Sequence, residues 1–323
     1  MRWRSPWLRA LGALLTVAGL AWVMWVLVRE GAAMARLLES PRLFITLALA
    51  AVFYAVATLL AASAWWWLLA IYGERPAWRV GYSLWARTQI AKYLPGNVFH
   101  YVGRQALGRR LGLRHATLAA AAFLELMTML VAAALLGAAA LASSSTAQGT
   151  WGALLLAAGL GAFGLVAFRV GDSVVQKLSG PKNGTQDVAE QGELREISRR
   201  HWVTLLVPPM GLHAVFLAAT SGLVWLLSWA LRPEAVASFS VWQVMGLYAL
   251  AWAAGTVSLG APAGLGVREA VLTLQLSPLL GPGPAAAVAL ALRFVTLLGD
   301  LFTALAGHLF SPRRAAAPGP LHP

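Results

Sequence analysis

The chain has 323 residues, of which 59% are hydrophobic and 11% are charged, whereas a soluble domain carries roughly 25% charged residues. It contains no cysteine, which excludes disulfides, thiol chemistry and cysteine metal sites. Its 25 Lys and Arg residues outnumber its 12 Asp and Glu residues, but in so apolar a chain this excess favours membrane topology over nucleic-acid binding.

Long apolar stretches follow one another along the chain, and uncharged runs of about 18 or more residues are typical of membrane spans. Such runs predict an all-α integral membrane protein, a polytopic helical bundle of about eight membrane helices. In chain order, the predicted spans are 7–28, 43–71, 116–142, 150–168, 202–231 and 241–260, then a short apolar helix at 267–280 and a long one at 285–310.

We expect one membrane domain over residues 1–312, with halves 1–168 and 201–312. The first span is interpreted as a retained helix because no cleavage site leads into a soluble domain. Residues 169–200 are expected to be a cytoplasmic linker, either partly disordered or with a short helix at Asp187–Arg200. The Pro- and Ala-rich tail, 313–323, is expected to be disordered.

The distribution of basic residues predicts an orientation, since Lys and Arg concentrate in cytoplasmic loops. With the N-terminus inside, 20 of the 25 Lys and Arg residues fall in cytoplasmic segments and four fall outside. Both termini are then predicted to be cytoplasmic, and Arg268 is counted on the cytoplasmic side.

The stretch KYLPGNVFHYVGRQ, Lys92 to Gln105, interrupts the apolar pattern. Pro95 cannot continue a helix without losing a hydrogen bond, and Gly96 permits a tight turn. Irregular backbone at membrane depth is tolerated only when it is buried in protein or lines a wet cavity. The stretch is therefore predicted to be a re-entrant or surface-lying element, or else a plain cytoplasmic turn.

A second interrupted stretch, SLGAPAGLGVREAVL, covers Ser258 to Leu272 and places Arg268 before a short helix. VGRQA at 102–106 resembles GVREA at 266–270, which suggests an internal repeat. Interrupted segments at corresponding positions of two halves indicate a transporter's binding site. Four spans in each half would make the repeat parallel, although a re-entrant short helix would change that.

Three ionisable residues fall inside predicted spans, where charge is costly and is a functional candidate by default. Glu125 lies in the third span, and Arg293 and Asp300 share one face of the last. Glu125 is a plausible partner for Arg293. The alternative is a structural salt bridge that fixes helices together. His213 is interpreted as a hydrogen-bonded helix contact rather than a proton relay.

Trp78, Tyr82 and Trp85 recur on one helix face with basic neighbours. This pattern suits contact with anionic head groups at the membrane interface, or an ordinary juxtamembrane helix. No Walker A loop, serine elbow or pair of metal-binding histidines on one helix turn is present in the sequence. We therefore expect no catalytic residue, metal or cofactor.

KYLPGNVFHYVGRQALGRRLGL and PAGLGVREAVL, followed by ALALRFVTLLGDL, resemble the lysylphosphatidylglycerol synthase transmembrane family over essentially the whole chain. The resemblance implies a flippase-like domain in a bacterial plasma (inner) membrane, without the soluble aminoacyltransferase domain of larger members. It implies that membrane lipids, particularly anionic ones, are the partners. The implied head-group residues include the recurring family positions and Lys92: Lys92, Pro95, Gly96, Gly103, Arg104, Pro262, Gly264, Gly266, Arg268 and Glu269.

The leading hypothesis is translocation of an anionic or glycosylated lipid of the polyprenyl, hopanoid or phospholipid type. Arg104 and Arg268 would meet phosphate at the cytoplasmic side, and Arg293 would supply charge deeper in, balanced by Glu125 or Asp300. The alternatives are a membrane transferase, with Glu125, Glu269 or Asp300 as base, and an accessory subunit for envelope-lipid enzymes.

Overall fold

The computed structural model describes residues 41–94, 98–142, 154, 157–158, 161, 185–237, 240–258 and 261–311. The predicted span at 7–28, almost all of the span at 150–168 and the tail at 313–323 lie outside these residues. So do Pro95 and Gly96.

Within the described residues the secondary structure is helical and contains no strand, which confirms the all-α prediction. Two 3-10 helices, Ile90–Tyr93 and Pro262–Gly264, lie in the two stretches that the sequence marks as interrupted. The α-helices are α1 (Pro41–Ile71), α2 (Trp78–Gln89), α3 (Phe99–Arg110), α4 (His115–Ala142), α5 (Thr185–Leu231), α6 (Pro233–Val236), α7 (Val241–Val257), α8 (Val267–Leu280) and α9 (Pro282–Leu309).

Four described helices, α1, α4, α5 and α9, contain stretches long and apolar enough to cross a membrane. They correspond to the spans predicted at 43–71, 116–142, 202–231 and 285–310. Helix α5 has 47 residues and begins at Thr185, so the C-terminal part of the predicted linker is helical and continuous with the span.

One end of the bundle is where α1 and α9 finish and α4 begins. Past the end of α1, Glu74 forms an ion pair with Arg114, just before α4. Arg87, in the last turn of α2, donates a hydrogen bond to Ser311, just after α9. The side chain of Leu118 packs against Gly108 near the end of α3. We call this end the α1/α9 end.

The opposite end is where α5 and α4 finish and α9 begins. Arg232, after α5, donates a hydrogen bond to the carbonyl of Leu280 at the end of α8. Gly246 of α7 lies against Ala140, near the end of α4. We call this the α5 end, and the chain enters α7 and leaves α8 there.

Each interrupted stretch therefore folds back as a hairpin of two short helices. The first hairpin, α2–α3, starts and finishes at the α1/α9 end; the second, α7–α8, starts and finishes at the α5 end. The prediction that 241–260 is a full span is wrong, because α7 ends at Val257 and the chain returns through α8. The two breaks are reached from opposite ends of the bundle.

The two halves pack reciprocally. Helix α2 packs on α9 and helix α7 packs on α4, so each hairpin contacts the last long helix of the other half. Helices α1 and α5 pack against each other and run in opposite directions along the bundle. Within the described residues, the order of long helix, hairpin and long helix thus recurs in inverted rather than parallel orientation, because each hairpin reverses the chain without crossing the bundle.

The second break depends on close backbone contact. Gly264 has φ of +70°, and a Cβ built there would come within 2.7 Å of the Gly255 Cα of α7. Ala263 also lies in the left-handed region, with φ of +49°. A larger residue at position 264 would therefore separate the break from α7.

Gly264→Ala is expected to lower the thermal unfolding midpoint in detergent by several degrees. The change adds both the cost of positive φ, roughly 1–2 kcal/mol, and a backbone clash of about 1–3 kcal/mol. Gly112→Ala is the matched control, since Gly112 has φ of +84° but no neighbour within 4 Å. Equal midpoints for the two variants would contradict the close contact.

The hairpin topology predicts that Gly112 and Glu234 lie on opposite sides of the membrane. Single cysteines can be placed at either position, because the chain has none of its own. In sealed vesicles of uniform orientation, a membrane-impermeant thiol reagent should label one position and reach the other only after permeabilisation. Labelling of both from the same side would refute the topology.

Candidate functional site

The two breaks meet inside the bundle. The 3-10 helix of the first hairpin contacts that of the second, and a cavity of about 220 Å³ opens beside them. The charged residues in its wall come from both hairpins and from the long helices α4 and α9: Lys92, Arg104, Glu125, Arg268 and Asp300.

Arg104 of α3 is held in a buried ion pair. Its guanidinium lies 2.5 Å from the carboxylate of Glu125 on α4, and the other carboxylate oxygen accepts a hydrogen bond of 2.6 Å from the Trp85 indole. The rings of Trp65, Trp85 and Tyr101 lie 5.1–5.7 Å from the guanidinium carbon, which stabilises the buried cation further. Arg104 is therefore a fixed positive charge.

Asp300 of α9 is bound by the first break. Its Oδ2 atom lies 2.7 Å from the Lys92 ammonium and accepts a hydrogen bond of 2.6 Å from the Tyr93 hydroxyl. Its Oδ1 atom is buried and has no hydrogen-bond partner among the described residues. One oxygen of this carboxylate thus joins α9 to the first hairpin, and the other remains unsatisfied.

A second ion pair joins α9 to the other hairpin. Arg293 lies 3.5 Å from the Glu269 carboxylate and donates a hydrogen bond to the carbonyl of Ala263 in the break. The other Glu269 oxygen accepts from the amide of Gly266 and caps α8. The expected pairing of Glu125 with Arg293 is wrong, since the carboxylates of Glu269 and Glu125 each bind a nearer arginine.

Arg268 differs from the other cations of the cluster. It lines the cavity half-buried, and no ion pair involves it within the described part of the chain, whereas Lys92, Arg104 and Arg293 each have a carboxylate partner. The Glu269 carboxylate beside it is already engaged by Arg293 and Gly266. Because Lys92 and Arg104 are each neutralised by a carboxylate, Arg268 leaves the cavity wall with one excess positive charge.

His100 of α3 also lines the cavity. Its imidazole lies against the ring of Tyr101, with 3.8 Å between the ring centroids. The Nδ1 atom is buried and has no hydrogen-bond partner among the described residues. His100 therefore adds a polar ring to the wall next to the fixed charge of Arg104.

The cavity lies about a third of the way along α4 and α9, measured from the α1/α9 end. Glu125 is ten residues into α4, and Asp300 is nine residues before the end of α9. At about 1.5 Å per residue, both lie about 15 Å from the α1/α9 end, roughly half the ~30 Å thickness of a bilayer core. The site therefore lies inside the bundle rather than at its end.

The remaining head-group candidates play other parts in the geometry. Gly103 packs against Thr88, where α2 and α3 approach each other. Gly264 and Gly266 shape the second break beside Pro262. Glu269 and Arg293 line a much smaller adjoining pocket. These residues build and brace the cavity, whereas Lys92, Arg104 and Arg268 line it.

Sequence reasoning missed several aromatic contributions. Tyr82 and Trp85 are 3% and 5% exposed, so the predicted interfacial face points into the protein for these two residues. Tyr93 is next to the candidate Lys92, but its hydrogen bond to Asp300 joins residues 207 positions apart. No local sequence pattern indicates such a contact. The interpretation of His213 as a hydrogen-bonded helix contact agrees with the structure. Its Nδ1 atom lies 3.0 Å from the Thr128 hydroxyl, a contact that joins α4 and α5.

Glu125→Gln is expected to destabilise the protein because it leaves the Arg104 charge buried without a counter-ion, a change that typically costs about 3–5 kcal/mol. The double variant Arg104→Met with Glu125→Gln removes that charge and should recover part of the thermal unfolding midpoint. The Trp85 indole can still donate to the side-chain amide oxygen introduced by the substitution in both variants. A double variant less stable than Glu125→Gln alone would contradict this account.

The comparison with protein families agrees with the bundle and the two breaks. The model of the lysylphosphatidylglycerol synthase TM region matches residues 10–305, which include both hairpins, helices α1, α4 and α5, and most of α9. A search of curated proteins found no match. The match covers most of the chain, and the protein belongs to the lysylphosphatidylglycerol synthase transmembrane-region family of multi-pass membrane proteins in lipid metabolism.

Proposed function

We propose that this protein binds the anionic phosphate of a membrane lipid in the central cavity and moves the lipid head group between leaflets. The observation that carries the proposal is the guanidinium of Arg268, which has no carboxylate partner among the described residues, in a cavity whose other described charges are paired. A guanidinium without a counter-ion at membrane depth is costly, and a phosphate would satisfy it with charge-assisted hydrogen bonds.

The inverted hairpins support movement rather than binding alone. Each hairpin enters from a different end, and their breaks meet at the cavity. Inverted repeats with interrupted helices at mid-membrane are the arrangement by which many transporters expose one site to either side. A head group in the cavity would be separated from each leaflet by one hairpin.

The charge distribution supports an orientation with the α1/α9 end in the cytoplasm of a bacterial cell. Residues 75–114, which form the first hairpin and its flanks, contain six arginines outside the cavity wall. A positively charged surface of this kind stays on the cytoplasmic side and attracts anionic lipids to the entrance of the site.

Reconstitution tests the proposal. Purified protein in phosphatidylcholine vesicles that contain a trace of fluorescent phosphatidylglycerol should make the inner-leaflet probe accessible to an impermeant quencher. Arg268→Gln should slow this movement about tenfold or more, since it removes a charge-assisted contact of about 1.5–3 kcal/mol. Arg110→Gln is the matched control, because Arg110 is exposed at the end of α3.

Equal rates for Arg268→Gln and the unaltered protein would show that this guanidinium does not carry the lipid. Absence of movement with every anionic lipid tested, together with chemical conversion of one of them, would replace transport with a transferase activity.

A further inference from the structure

The exposed tryptophans of the described part of the chain form two bands, one at each end of the bundle. We call them the tryptophan bands. Their side chains are 37–53% exposed: Trp67 and Trp78 at the α1/α9 end, and Trp225, Trp229 and Trp242 at the α5 end. Exposed phenylalanines such as Phe53 and Phe302 lie instead between the bands.

The charged surface lies at the same two ends. The exposed charged residues that the structure describes are Arg75, Arg79, Arg109 and Arg110 at the α1/α9 end, and Arg232 and Glu234 at the α5 end. Between the bands, the exposed side chains of α1 and α9 are apolar. An apolar surface that is bounded by tryptophan and then by charge is typical of contact with a bilayer.

The distance between the bands follows from α1 and α5. The rings of Tyr54 on α1 and Phe216 on α5 are in contact, with 6.0 Å between their centroids, and both residues line the cavity. From Tyr54, α1 continues for nine residues to Ser63, which accepts a hydrogen bond from the Trp78 indole. From Phe216, α5 continues for nine residues in the opposite direction to Trp225. At about 1.5 Å per residue, the bands lie about 27 Å apart, and the cavity lies midway between them.

We propose that the tryptophan bands bind the two interfaces of a bilayer with a hydrocarbon core of about 27 Å, and that they hold the cavity at its mid-plane. Indole rings are amphipathic and favour the head-group level of a membrane. Because the two breaks contact each other beside the cavity, both then lie within the hydrocarbon core, and both hairpins are re-entrant. The partner is the bilayer itself, so the inference is independent of the proposed function.

Depth measurements on single spin labels test this placement. The chain has no cysteine, so labels can be attached to Ile45→Cys or Val56→Cys, whose native side chains are 61% and 58% exposed on α1. In vesicles, relaxation by oxygen and by a water-soluble nickel chelate should place Val56 within about 5 Å of the mid-plane and Ile45 about 13 Å from it. Leu301→Cys on α9 should match Val56→Cys, because the hydrogen bond between Thr58 and Thr303 puts the two positions at one level.

A mid-plane nearer to Ile45 than to Val56 would overturn the placement. Labels on both helices that neither oxygen nor the chelate reaches would also overturn it. A second copy or another segment of the chain would then cover the surface that we assign to lipid.

The role of the tryptophans is tested by varying the thickness of the bilayer. The thermal unfolding midpoint should be highest in phosphatidylcholine vesicles with monounsaturated 18-carbon chains, whose hydrocarbon core is close to ~30 Å. It should fall by several degrees with 14- or 22-carbon chains, because the bands then no longer meet both interfaces. The triple variant Trp225→Leu, Trp229→Leu and Trp242→Leu should lose most of this dependence.

The matched control is the triple variant Phe53→Leu, Phe294→Leu and Phe302→Leu, which replaces exposed aromatic residues between the bands and should keep the dependence. Equal effects of the two triple variants would overturn the role of the bands. So would an unfolding midpoint of the unaltered protein that does not change with chain length. If the tryptophan variant does not fold, the label depths and the thickness dependence of the unaltered protein still decide the matter.

Discussion

The structure depends on the requirement that every charge buried at membrane depth has a counter-ion. Helix α9 carries one buried charge of each sign, and both are paired. Its Asp300 binds Lys92 of the first break, and its Arg293 binds Glu269 of the second hairpin. These contacts hold the two breaks together where interrupted backbone would otherwise face lipid. Among the described residues, the half-buried Arg268 is the cavity cation that these ion pairs leave without a counter-ion.

Each half has one buried ion pair between its hairpin and the long helix that follows, and the two ion pairs have opposite polarity. In the first half, the hairpin carries the arginine and the following long helix carries the carboxylate, as Arg104 and Glu125. In the second half, the hairpin carries the carboxylate and the long helix carries the arginine, as Glu269 and Arg293. The contact is retained while its polarity is reversed.

The sequence predicts the helical class, the four long described spans and the positions of both interruptions, because these depend on local hydrophobicity and on Pro and Gly chemistry. It does not predict the ion pairs. Glu125 pairs with Arg104 rather than with Arg293, and Asp300 pairs with Lys92. These ion pairs join helices that are distant in the sequence, so no residue spacing indicates them. Nor does it predict the topology, since α7 is as apolar as a span but has 17 residues, and composition does not reveal that the chain turns back after it.

The position of Arg293 and Asp300 on one helix has an energetic consequence. Withdrawal of either hairpin from α9 would strand one buried ion, and withdrawal of both would strand at least two, each at a cost of several kcal/mol. In the proposed transport, a state open to both compartments at once would therefore be the least favourable one. This would allow the charged centre to take up a head group while the bundle resists the leakage of small ions.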